Sequence, residues 1–130
     1  MQIGILTGGG DAPGLNAAIR AVVRQALLAG DTVVGVRNGW SGLLGDGDMV
    51  PLGRRDVAGI LQLGGTVLCT SSRINPLDRE GGAEEAVTNF RHAGLDALIA
   101  IGGDGTLGIA SVTTPGTTSG ESSMACPGAA

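Results

Sequence analysis

Residues 99–107 read Ile99-Ala100-Ile101-Gly102-Gly103-Asp104-Gly105-Thr106-Leu107. With Ala97 and Leu98 in front, an apolar run ends abruptly at Gly102. A short continuous apolar run bounded by glycines predicts a buried strand, parallel to its neighbours and covered on both faces. The glycines let backbone N–H groups come close to a ligand, and Gly105-Thr106 are expected to open a helix whose positive end favours an anion. Asp104 then stands at the carboxyl end of a strand, where open α/β sheets bind ligands. Beside phosphates, a carboxylate suits Mg²⁺, which is commonly shared between one or two carboxylates and phosphate oxygens. A plain strand-to-helix turn with an acidic cap also fits this stretch taken alone.

A second stretch has the same grammar. Gln2–Leu6 predicts a strand that ends at Thr7-Gly8-Gly9-Gly10-Asp11-Ala12-Pro13-Gly14, and Leu15–Ala29 then carries apolar residues at helical spacing up to Gly30. Thr32–Val36 is β-branched and reads as the next strand. Strand, glycine loop, helix and strand in this order predict a parallel crossover unit. The loop departs from the dinucleotide fingerprint, because Pro13 takes the third glycine position and Arg37 follows the second strand. Parallel strands place both glycine loops at one sheet edge, which points to a polyphosphate ligand with a metal at Asp104. Asp11 is a second nearby carboxylate, equally readable as a turn residue.

Composition removes several functions. All 8 basic residues are arginines, so a Walker-type loop and lysine Schiff-base chemistry are excluded. Trp40 and Phe90 are the only aromatic residues and the net charge is −4, which argues against a nucleic-acid partner. Cys69, Cys126 and His92 show no metal-ligand spacing. No apolar run approaches the ~18 residues of a membrane span, and no secretory leader pattern is present, so a cytoplasmic chain is expected.

Between the two loops, Asn38–Gly47 reads as loop, Met49–Leu52 as a short strand and Arg54–Leu63 as a modest helix. Thr66–Cys69 is strand-like, Thr70–Pro76 a polar loop holding Arg73, and a helix runs from Glu80 or Ala83 to Ala93. Arg73 in that loop is suited to pair bidentately with phosphate, or simply to be solvated. Arg20 and Arg24 share a helix face and, with Arg54, suit an anion; their spacing alone favours a solvated face. From Ser111 onward the chain is dominated by Ser, Thr, Gly and Pro, and a disordered tail over 111–130 is expected beside a domain over 1–110.

LTGGGDAPGLNAAIRAVVR, NGWSGL, GGTVL with SSR, and DALIAIGGDGTL, in that order, resemble the 6-phosphofructokinases, in their ATP-using bacterial form. The resemblance covers roughly residues 2–110. It implies an α/β three-layer sandwich with a mainly parallel sheet, the incomplete nucleotide-binding half of that fold. It implies ATP as co-substrate, Mg²⁺ as cofactor, fructose 6-phosphate as acceptor and a homo-oligomeric, allosteric family. Gly9 resembles the first-loop contact to the ATP phosphates, and Gly103, Gly105 and Thr106 the residues that wrap them. Asp104 resembles the metal ligand and Arg73 the arginine bridging nucleotide and sugar phosphate. Gly105 is also similar to ATP users, since pyrophosphate users carry Asp there. Trp40 replaces a frequent Tyr near the nucleotide, and Arg20, Arg24 and Arg54 match arginines that bind a phosphorylated effector.

GGTVLCTSSR is one residue longer than the common pattern. The T-I-D-N-D motif that supplies the family's catalytic Asp does not occur, so no catalytic residue is assigned and the chain alone is expected to be inactive. Two other readings stand beside this one. The GGDGT loop also occurs in kinases of the NAD or diacylglycerol type, and a non-catalytic module that binds nucleotide or pairs with an intact subunit would keep the same loops.

Overall fold

The computed structural model describes residues 1–71 and 73–113. Its centre is β1 (Gln2–Thr7), whose side chains alternate between two packed faces. Ile5 belongs to one apolar cluster and Leu6 to the other, and both are fully buried. β2 (Thr32–Val36) and β4 (Ala97–Ile101) flank β1 and run parallel to it, while β3 (Met49–Leu52) lies antiparallel against β2. The strand order is β3-β2-β1-β4.

The α1 helix (Leu15–Leu28) buries Leu15, Ile19, Val23 and Ala26 on one face of the sheet, at the three-and-four spacing the sequence shows. The other face carries α2 (Gly82–His92) and α3 (Asp104–Thr113) through Ala86 and Ile109, together with Trp40 and Leu43 from a 3-10 turn at Gly39–Leu43. The expected three-layer α/β arrangement with a mainly parallel sheet is therefore present.

Three local expectations change. Residues 54–63 form successive turns instead of a helix. Single bonds from Asp56 N to Gly53 O, Ala58 N to Arg55 O and Leu63 N to Ile60 O replace a ladder, and Gly59 at φ 73° breaks it. Thr66–Cys69 is a turn instead of a strand, closed from Cys69 N to Thr66 O at 3.1 Å. Its apolar residue still goes inward: Leu68 fills the space beside Gly35, where an added Cβ would stand 2.5 Å from Leu68 Cδ2. Finally, α3 starts at Asp104 instead of Thr106 and runs past Ala110 to Thr113. Ser111 and Thr113 bond back to the carbonyls of Gly108 and Ile109 at 2.8 and 2.9 Å, so these polar residues are satisfied within the helix. The tail expectation for residues 114–130 lies outside the described residues.

Cys69 holds a left-handed backbone at φ 58°. Left-handed φ costs an L-residue roughly 1–2 kcal/mol, and Gly gives back part of that gain as unfolded-state entropy. Cys69→Gly is expected to stabilise the chain by about 0.5–1 kcal/mol, read as a higher midpoint in urea at unchanged slope.

Candidate functional site

Pairing of Thr7 with Ile101 in register brings the carboxyl ends of β1 and β4 side by side, so their glycine loops meet. Gly8 N donates to Ile101 O at 2.8 Å. Thr106, 5 % exposed, wedges its side chain between the loops. A Cβ on Gly8 would lie 2.4 Å from Thr106 Oγ1; one on Gly102 would lie 2.5 Å from that atom and 2.7 Å from Gly8 O. Only glycine fits either position. Gly9, at φ 79°, turns the first loop next to the Gly103 amide.

A glycine precedes each of the helices that follow, so neither has a capping side chain at that position. Gly14 precedes α1 at φ 91° with no capping side chain, and Ala18 N is the donor that closes on its carbonyl at 3.0 Å. In α3 the corresponding bond is Leu107 N to Gly103 O at 3.0 Å. The amides of the first helical turns therefore have no intrahelical acceptor, and two positive helix ends stand at one edge of the sheet. This edge is suited to an extended anion such as a polyphosphate. The hydroxyl of Thr106 is packed between the loops, so what Thr106 can offer a ligand is its backbone N–H rather than its side chain.

Asp104 is exposed in the first turn of α3. Among the described residues no group of three or more His, Cys, Asp or Glu could hold a metal ion. A single exposed carboxylate beside a phosphate cradle fits Mg²⁺, which keeps several waters and takes its remaining ligands from phosphate. It does not fit a zinc site, which needs at least three protein ligands. Asp11, also exposed, belongs to the first loop.

A third segment reaches the same edge. Thr7 Oγ1 lies 2.9 Å from Thr66 Oγ1 and donates to Cys69 O at 3.2 Å. Gly39 packs so closely that a Cβ there would stand 3.1 Å from Thr7 O, 3.6 Å from Ser71 N and 3.7 Å from Gly8 Cα. The chain from Leu63 to Ser71 is thus laid against the first glycine loop, and Arg73 follows it, exposed and without an ion pair among the described residues. The residues that hold this segment were not singled out from the sequence. Asn16 was legible in principle, as a polar side chain three and seven positions before Ile19 and Val23 on the buried stripe of α1.

The arginines attributed to an effector lie elsewhere. α1 starts at the loop edge and runs back along the sheet, carrying Arg20 and Arg24 away from it by 1.5 Å per residue. β3 is antiparallel, with Leu52 opposite Val33, so Arg54 emerges near the amino end of β2. Arg24 and Arg54 are exposed, whereas Arg20 Nε is buried without a hydrogen-bond partner. Trp40 does not face the loops: its ring is 3 % exposed, inside the second core cluster. An apolar cavity of about 280 Å³, lined by Trp40, Leu43, Phe90, Leu98 and Ala110 among others, lies beneath α2 and α3 and includes none of the loop glycines.

The family model for phosphofructokinase matches residues 2–119. The chain belongs to the phosphofructokinase family. It is 55 % identical over 105 residues to the ATP-dependent 6-phosphofructokinase 1 of Thermus thermophilus, covering 81 % of this chain and 32 % of that protein. It is also 55 % identical over 111 residues to the pyrophosphate–fructose 6-phosphate 1-phosphotransferase of Dictyoglomus thermophilum, covering 85 % and 32 %. Among solved structures, the T-state phosphofructokinase of Pichia pastoris superposes with a TM-score of 0.80 at 41 % identity, over 86 % of this chain and 12 % of that one. The chain therefore spans about a third of the length of the curated relatives it matches. Among the described residues no helix is long and apolar enough to cross a membrane.

Proposed function

We propose that this chain forms the phosphoryl-donor half of an ATP-dependent 6-phosphofructokinase, and that Gly9, Arg73, Gly103, Asp104, Gly105 and Thr106 make up its nucleotide site. The observation that carries this reading is the contact of the two glycine loops under two helix N-termini, with an exposed carboxylate at their rim. Amides there would hold the β- and γ-phosphates, and Arg73 would neutralise charge on the transferred group. Mg²⁺ held by Asp104 would supply the electrostatic stabilisation on which such transfers depend. In the whole enzyme the acceptor would be fructose 6-phosphate. The reading also brings with it a cytoplasmic homo-oligomer and a phosphorylated effector at Arg20, Arg24 and Arg54. The buried, unpartnered Arg20 Nε is the feature that favours an anion there.

Overall similarity does not separate ATP from pyrophosphate, since relatives of both names are equally identical to this chain. Gly105 favours ATP. A Cβ at Gly105 would meet nothing within 4 Å, so a side chain there is tolerated by the packing and would act on the ligand alone. Gly105→Asp would place a carboxylate beside the phosphates without disturbing the packing. It is expected to weaken ATP binding by at least tenfold, about 1.4 kcal/mol, at an unchanged melting temperature.

The deciding experiment is calorimetric titration of the purified chain with ATP and with pyrophosphate, each with Mg²⁺. Saturable binding of ATP, stronger than of pyrophosphate, is the expected result. Binding of pyrophosphate alone would overturn the donor assignment, and binding of neither would overturn the site.

A further inference from the structure

Asn16 is a buried carboxamide that the nucleotide reading leaves without a role. It sits in the first turn of α1, directly after the first glycine loop, and is 2 % exposed. Its Nδ2 donates to Leu63 O at 3.1 Å and to Gly64 O at 3.3 Å, and its Oδ1 accepts from Val67 N at 2.8 Å. Three hydrogen bonds thus run from one side chain to the backbone of a segment about fifty positions away. That segment has no sheet partner of its own. Its chain direction at the site rests on these bonds, on the two from Thr7 Oγ1, on Asn38 N to Leu68 O at 2.8 Å, and on buried Leu68.

We propose that Asn16 is a positioning residue for the donor site. By tying Leu63–Val67 to the first turn of α1, it sets where Arg73 stands relative to the Gly8–Gly9 loop. The inference rests on the nucleotide reading above. The physical reason is the length of the lever. Arg73 follows a segment that belongs to no helix or strand, and a long side chain pairs bidentately with phosphate only if its backbone is held in place. A carboxamide offers two donors and an acceptor at once, which matches the carbonyls of Leu63 and Gly64 and the amide of Val67. Replacement by a carboxylate removes the donors and sets negative charge against two carbonyl oxygens.

A double-mutant cycle on Mg·ATP affinity, with a melting curve for every variant, tests this. Asn16→Ala is expected to weaken binding about tenfold in the wild-type background and by less than about twofold beside Arg73→Ala, a coupling typical of residues that act through one another. Its effect on melting should be the same in both backgrounds. If Asn16→Ala does not fold, Thr7→Val runs the same cycle, because it removes the hydroxyl bonds from the other end of the segment while keeping the side-chain shape. Equal losses of affinity in both backgrounds would mean a purely structural role and overturn the proposal. So would an Arg73→Ala variant that binds as well as wild type. Failure of the wild type itself to bind Mg·ATP would overturn the nucleotide reading, and this inference with it.

Discussion

Replacing Asp104 by Ala is expected to abolish the Mg²⁺ dependence of ATP binding while leaving the fold intact. The carboxylate is exposed, in the first turn of α3, and nothing in the core leans on it. Its removal loses a favourable charge at the positive end of a helix, worth about 0.3–1 kcal/mol of stability. The effect on the ligand is larger and depends on the cation. With Mg²⁺ present, the ion bridges carboxylate and phosphate, and two opposite charges 4 Å apart near a surface interact by about 4 kcal/mol. After solvation costs, a loss of about 100-fold in affinity is expected, roughly 2.7 kcal/mol. Without Mg²⁺ the sign reverses. Asp104 then repels the phosphates, so the variant should bind free ATP at least as tightly as the wild type does. Calorimetry at saturating Mg²⁺ and in excess chelator reads both arms. A variant weakened equally in the two conditions would show that Asp104 shapes the loop and does not hold the ion.

Gly102→Ala is expected to fail for a different reason. Its Cβ would stand 2.7 Å from Gly8 O and 2.7 Å from Thr106 Cβ. A rotamer change of Thr106 moves Oγ1, 2.5 Å away, but leaves Thr106 Cβ and the backbone carbonyl in place, so β4 and the first loop must move apart. Overpacking of this kind costs typically 1–3 kcal/mol. The displacement would also lengthen the bond from Gly8 N to Ile101 O, now 2.8 Å, on which the juxtaposition of the loops depends. Stability and Mg·ATP affinity should therefore fall together. Gly103→Ala is the matched comparison: no atom lies within 4 Å of its Cβ, and its φ is not in the left-handed region. It should melt close to wild type. If both alanines were equally tolerated, the loops would not be in the contact described.

Loop glycines, the strand before each and the helix after each were legible because they follow from local rules. An apolar run stopped by glycine is a strand end, and glycine next to a helical period is a helix start. The same rules misread Arg54–Leu63 and Thr66–Cys69. Val57, Ile60 and Leu68 have helix- or strand-like apolar content, yet Leu68 packs on the face of the sheet at Gly35 and Gly59 takes a positive φ. Their burial satisfies the core through turns instead.

Trp40 shows the converse. The resemblance attaches Trp40 to the nucleotide but says nothing about which face its ring occupies, and this ring closes a core cluster. The arginines share that limit. The antiparallel return of α1 carries Arg20 and Arg24 away from the edge where the glycine loops meet.

Family, the three-layer α/β class and the two glycine loops at one sheet edge were thus legible in the sequence alone, since periodicity and glycine placement are local and the motifs are specific. Only the tertiary structure decided that Thr106 is a wedge between the loops, that Asn16 and Thr7 hold the segment leading to Arg73, and that α1 carries Arg20 and Arg24 away from the loop edge. These are contacts between residues tens of positions apart, and their register is set by strand pairing and core packing, which no local pattern encodes.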